Sequence, residues 1–177
     1  MRVLFLDFDG VIVTPRAGIL DQFGWAFDPV CIAHLNRVCE WWDCQVVISS
    51  SWRRGGDCLA ELVDAGFTGT IWPVDWHTPL HMNWAEAMEV RDRHRVALEG
   101  EHANSHVYRG DEVQDWLDRH PEVTEYLILD DESDFWPQHM NRLVRTSTYD
   151  GILFDHVVQI GRTIGIELLR PRCETAA

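Results

Sequence analysis

Apolar residues gather in short runs at 3–6, 46–48, 70–72 and 126–129, and each run stops at a polar residue or a proline. Runs this short, apolar on successive residues, suit strands covered on both faces, as in parallel sheets. Residues 143–145 offer a fifth. Between the runs the period changes. Leu35, Val38, Cys39 and Trp42 fall at i, i+3, i+4 and i+7, one stripe of an amphipathic helix. Asp28-Pro29 stands ahead of it, an N-cap followed by proline at the first helical position. A second helix places Leu59, Leu62 and Val63 on one face, with Asp57 as its cap and Gly66 as its stop. Val113, Trp116 and Leu117 line a helix over 111–119, with Pro121 just beyond its end. Residues 154–164 read as a closing helix.

Residues 73–108 carry the weakest pattern. A helix over 85–98 fits there, dense in charge and poor in apolar periodicity, and so reads as a solvated surface element. Strands alternate with helices from end to end. That alternation predicts an α/β fold, a doubly wound, mostly parallel sheet with helices on both faces. No repeat, low-complexity tract or long linker divides the chain, so 1–177 reads as one domain, with 73–108 as a small helical flap or insertion.

Composition narrows the function. The 177 residues are 46% hydrophobic and 25% charged, the balance of a soluble globular protein, with nine tryptophans to bury or display. Net charge is −14, and all fifteen basic residues are arginine. Any cation the chemistry needs is therefore Arg, His or a metal. The acid excess disfavours a broad duplex nucleic-acid footprint but leaves room for gripping one phosphate. Five cysteines, none in C-x-x-C spacing, point to reduced thiols and a cytoplasmic setting rather than to disulfides or zinc. Neither a leader peptide nor a membrane span is expected.

Three strand ends carry the candidate chemistry: Asp7 and Asp9 after the first, Ser49, Ser50 and Ser51 after the second, Asp130 and Asp131 after the fourth. In open α/β sheets ligands bind outside the carboxyl ends of the strands. Up to four carboxylates in one volume repel one another unless a cation sits among them. Oxygen ligands without His or Cys suit Mg²⁺. A carboxylate such as Asp7 can attack a phosphoryl group, and Asp9 can protonate the leaving oxygen and later activate water. Gly10 lets the backbone turn sharply and approach a substrate. A serine hydroxyl and an arginine can hold the phosphoryl oxygens. Arg53, beside Arg54 and a Gly-Gly pair, can clamp a substrate phosphate or belong to a solvated loop. His77 and His81 are four apart, but Pro79 between them opposes a metal-binding helical pair. Trp72 and Trp76 can stack on a base, yet read as core.

Phe5-Leu6-Asp7-Phe8-Asp9-Gly10-Val11 resembles the first motif of the haloacid dehalogenase (HAD) superfamily. Val46-Val47-Ile48-Ser49 resembles its second motif, and Leu129-Asp130-Asp131-Glu132-Ser133-Asp134 its acidic fourth. The third motif is usually a lysine; here the counterpart is Arg109, in Arg109-Gly110-Asp111-Glu112-Val113. That segment and Ser50-Ser51-Trp52-Arg53 are similar to the compact HAD branch described from "Swiss Army knife" RNA-repair proteins. The resemblance runs in order over about residues 1–165. It implies a phosphatase without a large cap domain. Asp7, Asp9, Ser49 and Arg109 would be catalytic; Gly10, Ser50 and Arg53 would contact substrate. Asp7, Asp130 and Asp131 would hold Mg²⁺ with the backbone carbonyl of Asp9, Asp131 being favoured over Asp130 as direct ligand. It further implies a phosphorylated substrate at an open site, a nucleic-acid end or a nucleotide. The alternatives are the same chemistry on a small metabolite or a phosphoprotein, and a non-catalytic HAD-like binding module.

Overall fold

The computed structural model describes residues 1–21, 26–55, 57–80, 82–98 and 106–165. Its centre is a five-stranded sheet in the order β5-β4-β1-β6-β7, all pairs parallel. The strands are β1 (Arg2–Leu6), β4 (Gln45–Ile48), β5 (Thr70–Ile71), β6 (Glu125–Asp130) and β7 (Leu143–Arg145). The side chains of β1 alternate between two cores. Leu4 and Leu6 join Val46, Ile48, Leu127 and Leu129 on one face, while Val3 and Phe5 join Val47 and Ile128 on the other. Burial on both faces is why the apolar runs are continuous.

The register aligns the strand ends. Leu6 pairs with Ile48 of β4 and with Leu129 of β6. The next residue on each strand therefore emerges at the same level: Asp7, Ser49 and Asp130. Two of them stay tied to the sheet, since Asp7 N–H donates to Leu129 O at 3.0 Å and Ser49 N–H to Leu6 O at 2.9 Å.

Helix α2 (Pro29–Trp42) buries Leu35, Val38, Cys39 and Trp42, the expected stripe. Asp28 caps it, accepting from Val30 N–H at 2.9 Å, while its other oxygen takes Thr14 and Arg16. Helix α3 (Cys58–Asp64) departs from expectation. Its buried stripe is Cys58 and Leu62, Val63 is 59% exposed, and Asp57 makes no side-chain cap. A helix of under two turns touches the core along one i, i+4 line, and the residue after Leu62 is rotated away from it. Gly66 does end this element, at φ +97°.

Between Gly10 and Asp28 lies structure that the hydrophobic pattern did not disclose. A tight turn after Asp7 leads into the two-residue strands β2 (Val13–Thr14) and β3 (Ala26–Phe27), which pair antiparallel around α1 (Pro15–Asp21). Strands of two residues are too short for alternation to register.

Helix α4 (Trp84–His94) is shorter than the reading of 85–98 and is not wholly solvated. It opens on a reciprocal cap between Asn83 and Glu86 and ends at Arg95, φ +55°. Ala87, Val90 and Arg91 are buried against α5 (Arg109–Arg119). Arg91 Nε donates to Asp111 Oδ1 at 2.7 Å, and Asp111 also accepts from the Trp136 indole and the Tyr108 N–H. Asp111 is thus the third residue of α5, not its first, and its carboxylate turns back to close the helix start. Gly110 beside it admits no side chain, because a Cβ there would lie 2.6 Å from the Trp136 backbone nitrogen. Trp72 and Trp116 pack edge to face in the core between sheet and α5. Helix α6 (Phe154–Thr163) closes over α2 with Val157 and Ile160.

Removing one partner of a fully buried pair strands the other charge. Asp111→Ala should therefore cost about 3–5 kcal/mol of stability. Arg93→Ala, which breaks the more exposed pairs to Asp115 and Asp118, should cost less than about 1 kcal/mol. Urea-unfolding midpoints of the two variants check the difference.

Candidate active site

Carboxylate oxygens of Asp7, Asp130 and Asp131 lie within 4.8 Å of one another at the level where β1 and β6 end. Asp7 is 2% exposed and Asp130 0%. Asp7 Oδ1 and Asp130 Oδ2 are buried without a hydrogen-bond partner, and so is the hydroxyl of Ser49. Buried oxygens short of hydrogen bonds are costly; Arg109 faces the two carboxylate oxygens as an ion pair without good hydrogen-bond alignment, which leaves room for a further cation there. Opposite donors around one Mg²⁺ stand about 4.2 Å apart, twice the ligand distance of about 2.1 Å. The trio fits a hard divalent ion on spacing and on donor type.

Each carboxylate is held differently. Asp130 Oδ1 accepts the Glu132 N–H at 2.9 Å. Asp131 Oδ2 accepts the Thr148 hydroxyl at 2.6 Å. Burial, then the neighbouring Asp7 charge, drives the Asp130 carboxyl well above the ordinary carboxylate range. Asp9 stands outside the trio. Its Oδ2 accepts the Trp52 indole N–H at 2.9 Å, and no described residue donates to its carbonyl. Burial raises the Asp9 carboxyl, the Trp52 hydrogen bond draws it partly back, and the charges of Asp7 and Asp131 push it up again. A carboxyl held protonated beyond its usual range is what a general acid requires.

Arg109, the first residue of α5, supplies the fixed positive charge. Its Nη1 lies 3.1 Å from Asp7 Oδ1 and 3.2 Å from Asp130 Oδ2, and donates to Ser49 O at 3.1 Å. Burial alone would lower its pKa, but the two carboxylates outweigh burial and keep the guanidinium charged. Asp134 fixes the helix start by accepting the Arg109 N–H at 3.1 Å. The cation expected at the third motif therefore faces Asp7, anchored by a helix whose Val113 and Trp116 are in the core.

Three residues read as substrate ligands are engaged in the scaffold instead. The Ser50 hydroxyl, 0% exposed, caps the short 3₁₀ turn Ser51–Arg54 by accepting the Trp52 N–H. Gly10, at φ +68°, does allow close approach, but what approaches is Asp131: a Cβ on Gly10 would lie 2.4 Å from Asp131 Oδ2. The Gly10 N–H is bonded to Val13 O, and its carbonyl accepts the Thr146 hydroxyl. Arg53, with its side chain 4% exposed, pairs with Glu112 at 2.7 Å and donates to the carbonyls of Ser49, Ser50 and Pro79. It braces the loop that presents Ser49.

Other readings resolve plainly. Trp72 is core, Trp76 packs edge-on to His77, and the His77 ring contacts Thr78 O. His81 and Cys173 lie outside the described residues. Cys31, Cys39, Cys44 and Cys58 are free and buried. Among the described residues no helix is long and apolar enough to cross a membrane. Trp52, Thr148 and Glu112 are the supports that residue-by-residue reading did not single out. Trp52 and Glu112 stand inside motif segments, whereas nothing marks Thr148.

A parallel sheet with this strand order and acidic groups at the ends of β1 and β6 defines an HAD-type fold, that of a phosphatase and hydrolase superfamily. The family model described as "HAD domain in Swiss Army Knife RNA repair proteins" matches residues 3–157, and the chain belongs to that family. No curated protein and no solved structure matches it.

Without a metal, folded Asp130 keeps its proton above the ordinary value of 3.8. The folded state then binds more protons than the unfolded one, so stability falls as pH rises from that value upward. Added Mg²⁺ should raise Tm, and more so in mildly alkaline than in mildly acidic buffer. Asp130→Asn should lose most of that metal-dependent rise. Thermal melts in chelator and in Mg²⁺ across pH check both.

Proposed function

We propose that the chain is a magnesium-dependent phosphohydrolase acting through an aspartyl-phosphate on Asp7, with a nucleic-acid end or nucleotide phosphate as substrate. The observation that carries this reading is the Asp7 carboxylate, buried, lacking a hydrogen-bond donor on Oδ1, and facing Arg109 at 3.1 Å. Asp7, Asp130 and Asp131, with the Asp9 carbonyl, would hold Mg²⁺, which offsets phosphoryl charge when bound.

The chain's own groups do the rest. Asp7 attacks phosphorus in line, and the bond to the leaving oxygen breaks as Asp9 gives that oxygen its proton. Asp9, now ionised, takes a proton from water, and the hydroxide so formed releases phosphate from Asp7. Arg109 and the Ser49 hydroxyl hold the phosphoryl oxygens as charge moves onto them. Trp52 keeps the Asp9 carboxylate aimed during both steps. Gly10, Ser50 and Arg53 act on substrate only through the loops they support. The chain reads as one HAD-like domain, with residues 73–108 as a small helical flap or insertion rather than a cap. The site stays open to phosphates on large molecules. Buried, reduced thiols suit a cytoplasmic protein.

Phosphate release from oligonucleotide ends, nucleotides and sugar phosphates, with and without Mg²⁺, tests the reading. Asp7→Asn should abolish turnover and the trapped phospho-enzyme, and near-normal activity in that variant would refute the mechanism. Asp9→Asn should slow turnover by roughly 10²–10⁴-fold. Arg109→Ala should lower kcat/KM by at least about 10²-fold, about 2.7 kcal/mol of transition-state stabilisation, and Arg109→Lys should recover only part. Arg53→Ala should act mainly on Tm, because its guanidinium is bound to Glu112 and backbone carbonyls.

A further inference from the structure

Next to Arg109 opens a cleft of about 200 Å³, lined among others by Ser51, Arg54, Met82, Tyr108, Arg109 and Glu112. Three arginines border it, Arg53 being the third, in a chain of net charge −14. Their partners are unequal. Arg109 answers Asp7 and Asp130, and Arg53 answers Glu112. Arg54 is exposed and makes no hydrogen bond or ion pair with a described residue. Its charge nevertheless reaches both neighbours, adding to the burial that lowers Arg53 and helping to offset the burial that raises Glu112. One carboxylate, Glu112, thus faces three guanidinium groups around one small cleft. The 3₁₀ turn that buries Arg53 holds Arg54 at the rim.

Like charges this close are stable together when an anion joins them. The scissile phosphate sits at Asp7, which does not line the cleft, while Ser49 and Arg109 border both, so the cleft adjoins the reacting group and Arg54 serves a neighbouring anion. Met82 and Tyr108 add a small apolar edge to a largely polar cleft, room for the sugar that links two phosphates. Resting on the phosphohydrolase reading above, we propose that this cleft is the leaving-group subsite and that Arg54 binds the phosphodiester next to the scissile phosphate. The preferred substrate is then the phosphorylated end of an oligonucleotide rather than an isolated phosphomonoester. An arginine–phosphate contact at the rim adds affinity without entering the chemistry, so its loss acts on binding of the longer substrate alone.

The test measures binding and turnover separately. In the Asp7→Asn protein with Mg²⁺, tryptophan fluorescence tracks binding of a phosphorylated mononucleotide and of the dinucleotide that extends it, in 5′- and 3′-phosphorylated forms. The dinucleotide should bind about tenfold more tightly in at least one form, the usual worth of one charged hydrogen bond. Adding Arg54→Ala should erase that advantage and leave mononucleotide binding unchanged; Arg54→Lys should keep part of it. The salt dependence of dinucleotide binding should also drop by about 0.7 in log–log slope. Equal affinity for the two ligands, or an equal loss for both in Arg54→Ala, overturns the proposal. Turnover of p-nitrophenyl phosphate by the wild-type protein tests the underlying reading independently. Its absence alongside an Arg54-dependent dinucleotide preference would sink the hydrolase assignment and leave the phosphodiester subsite standing.

Discussion

The molecule is organised around a concentration of like charge. A level register between β1 and β6 delivers Asp7 and Asp130 to one point, and the turn after β6 adds Asp131. Carboxylates that close in a buried setting repel, and burial raises the cost of each. The fold meets this with one fixed cation, Arg109, and with individual donors from Glu132 N–H and Thr148. The two oxygens at the centre, Asp7 Oδ1 and Asp130 Oδ2, share only that guanidinium and have no well-aligned hydrogen-bond donor. That shortage of donors among buried acceptors sets the trio apart from an acidic surface patch and suits it to a further cation.

Having arginine at the third motif instead of lysine changes the engineering. One nitrogen, Arg109 Nη1, reaches Asp7, Asp130 and the Ser49 carbonyl together, and the planar guanidinium carries further donors on Nε and Nη2. An ammonium has only the one nitrogen. The broad head needs a firm mount, and α5 provides it: Gly110 seats the helix start on Trp136, and Asp111 bolts it to Arg91 of α4. The least legible stretch of the sequence, around α4, is therefore part of what holds the Arg109 guanidinium in place.

The sheet was readable because its strands are buried on both faces, leaving continuous apolar runs that stop where the chemistry begins. Asp7, Asp130, Asp131 and Arg109 converge as their positions at element ends foretold. What escaped detection has a common cause. β2 and β3 are two residues each, and one of the three buried residues of α4 is Arg91, which hydropathy counts as solvent-facing. Ser50, Gly10 and Arg53 stand in motif segments, but motif position does not say whether a side chain points outward or braces the loop from beneath. Their hydrogen bonds decide that, and these come from residues distant in sequence, such as Glu112 and Thr146.

The contact between Gly10 and Asp131 has a consequence for substitution. The Asp131 carboxylate lies where any side chain at position 10 would have to be, with 2.4 Å between its oxygen and the first added carbon. The two positions, 121 residues apart, thus compete for one volume. Any side chain at residue 10 would require residue 131 to be shortened or redirected in the same step. The turn after Asp7 is thus held twice, by the positive φ of Gly10 and by the carboxylate packed against it.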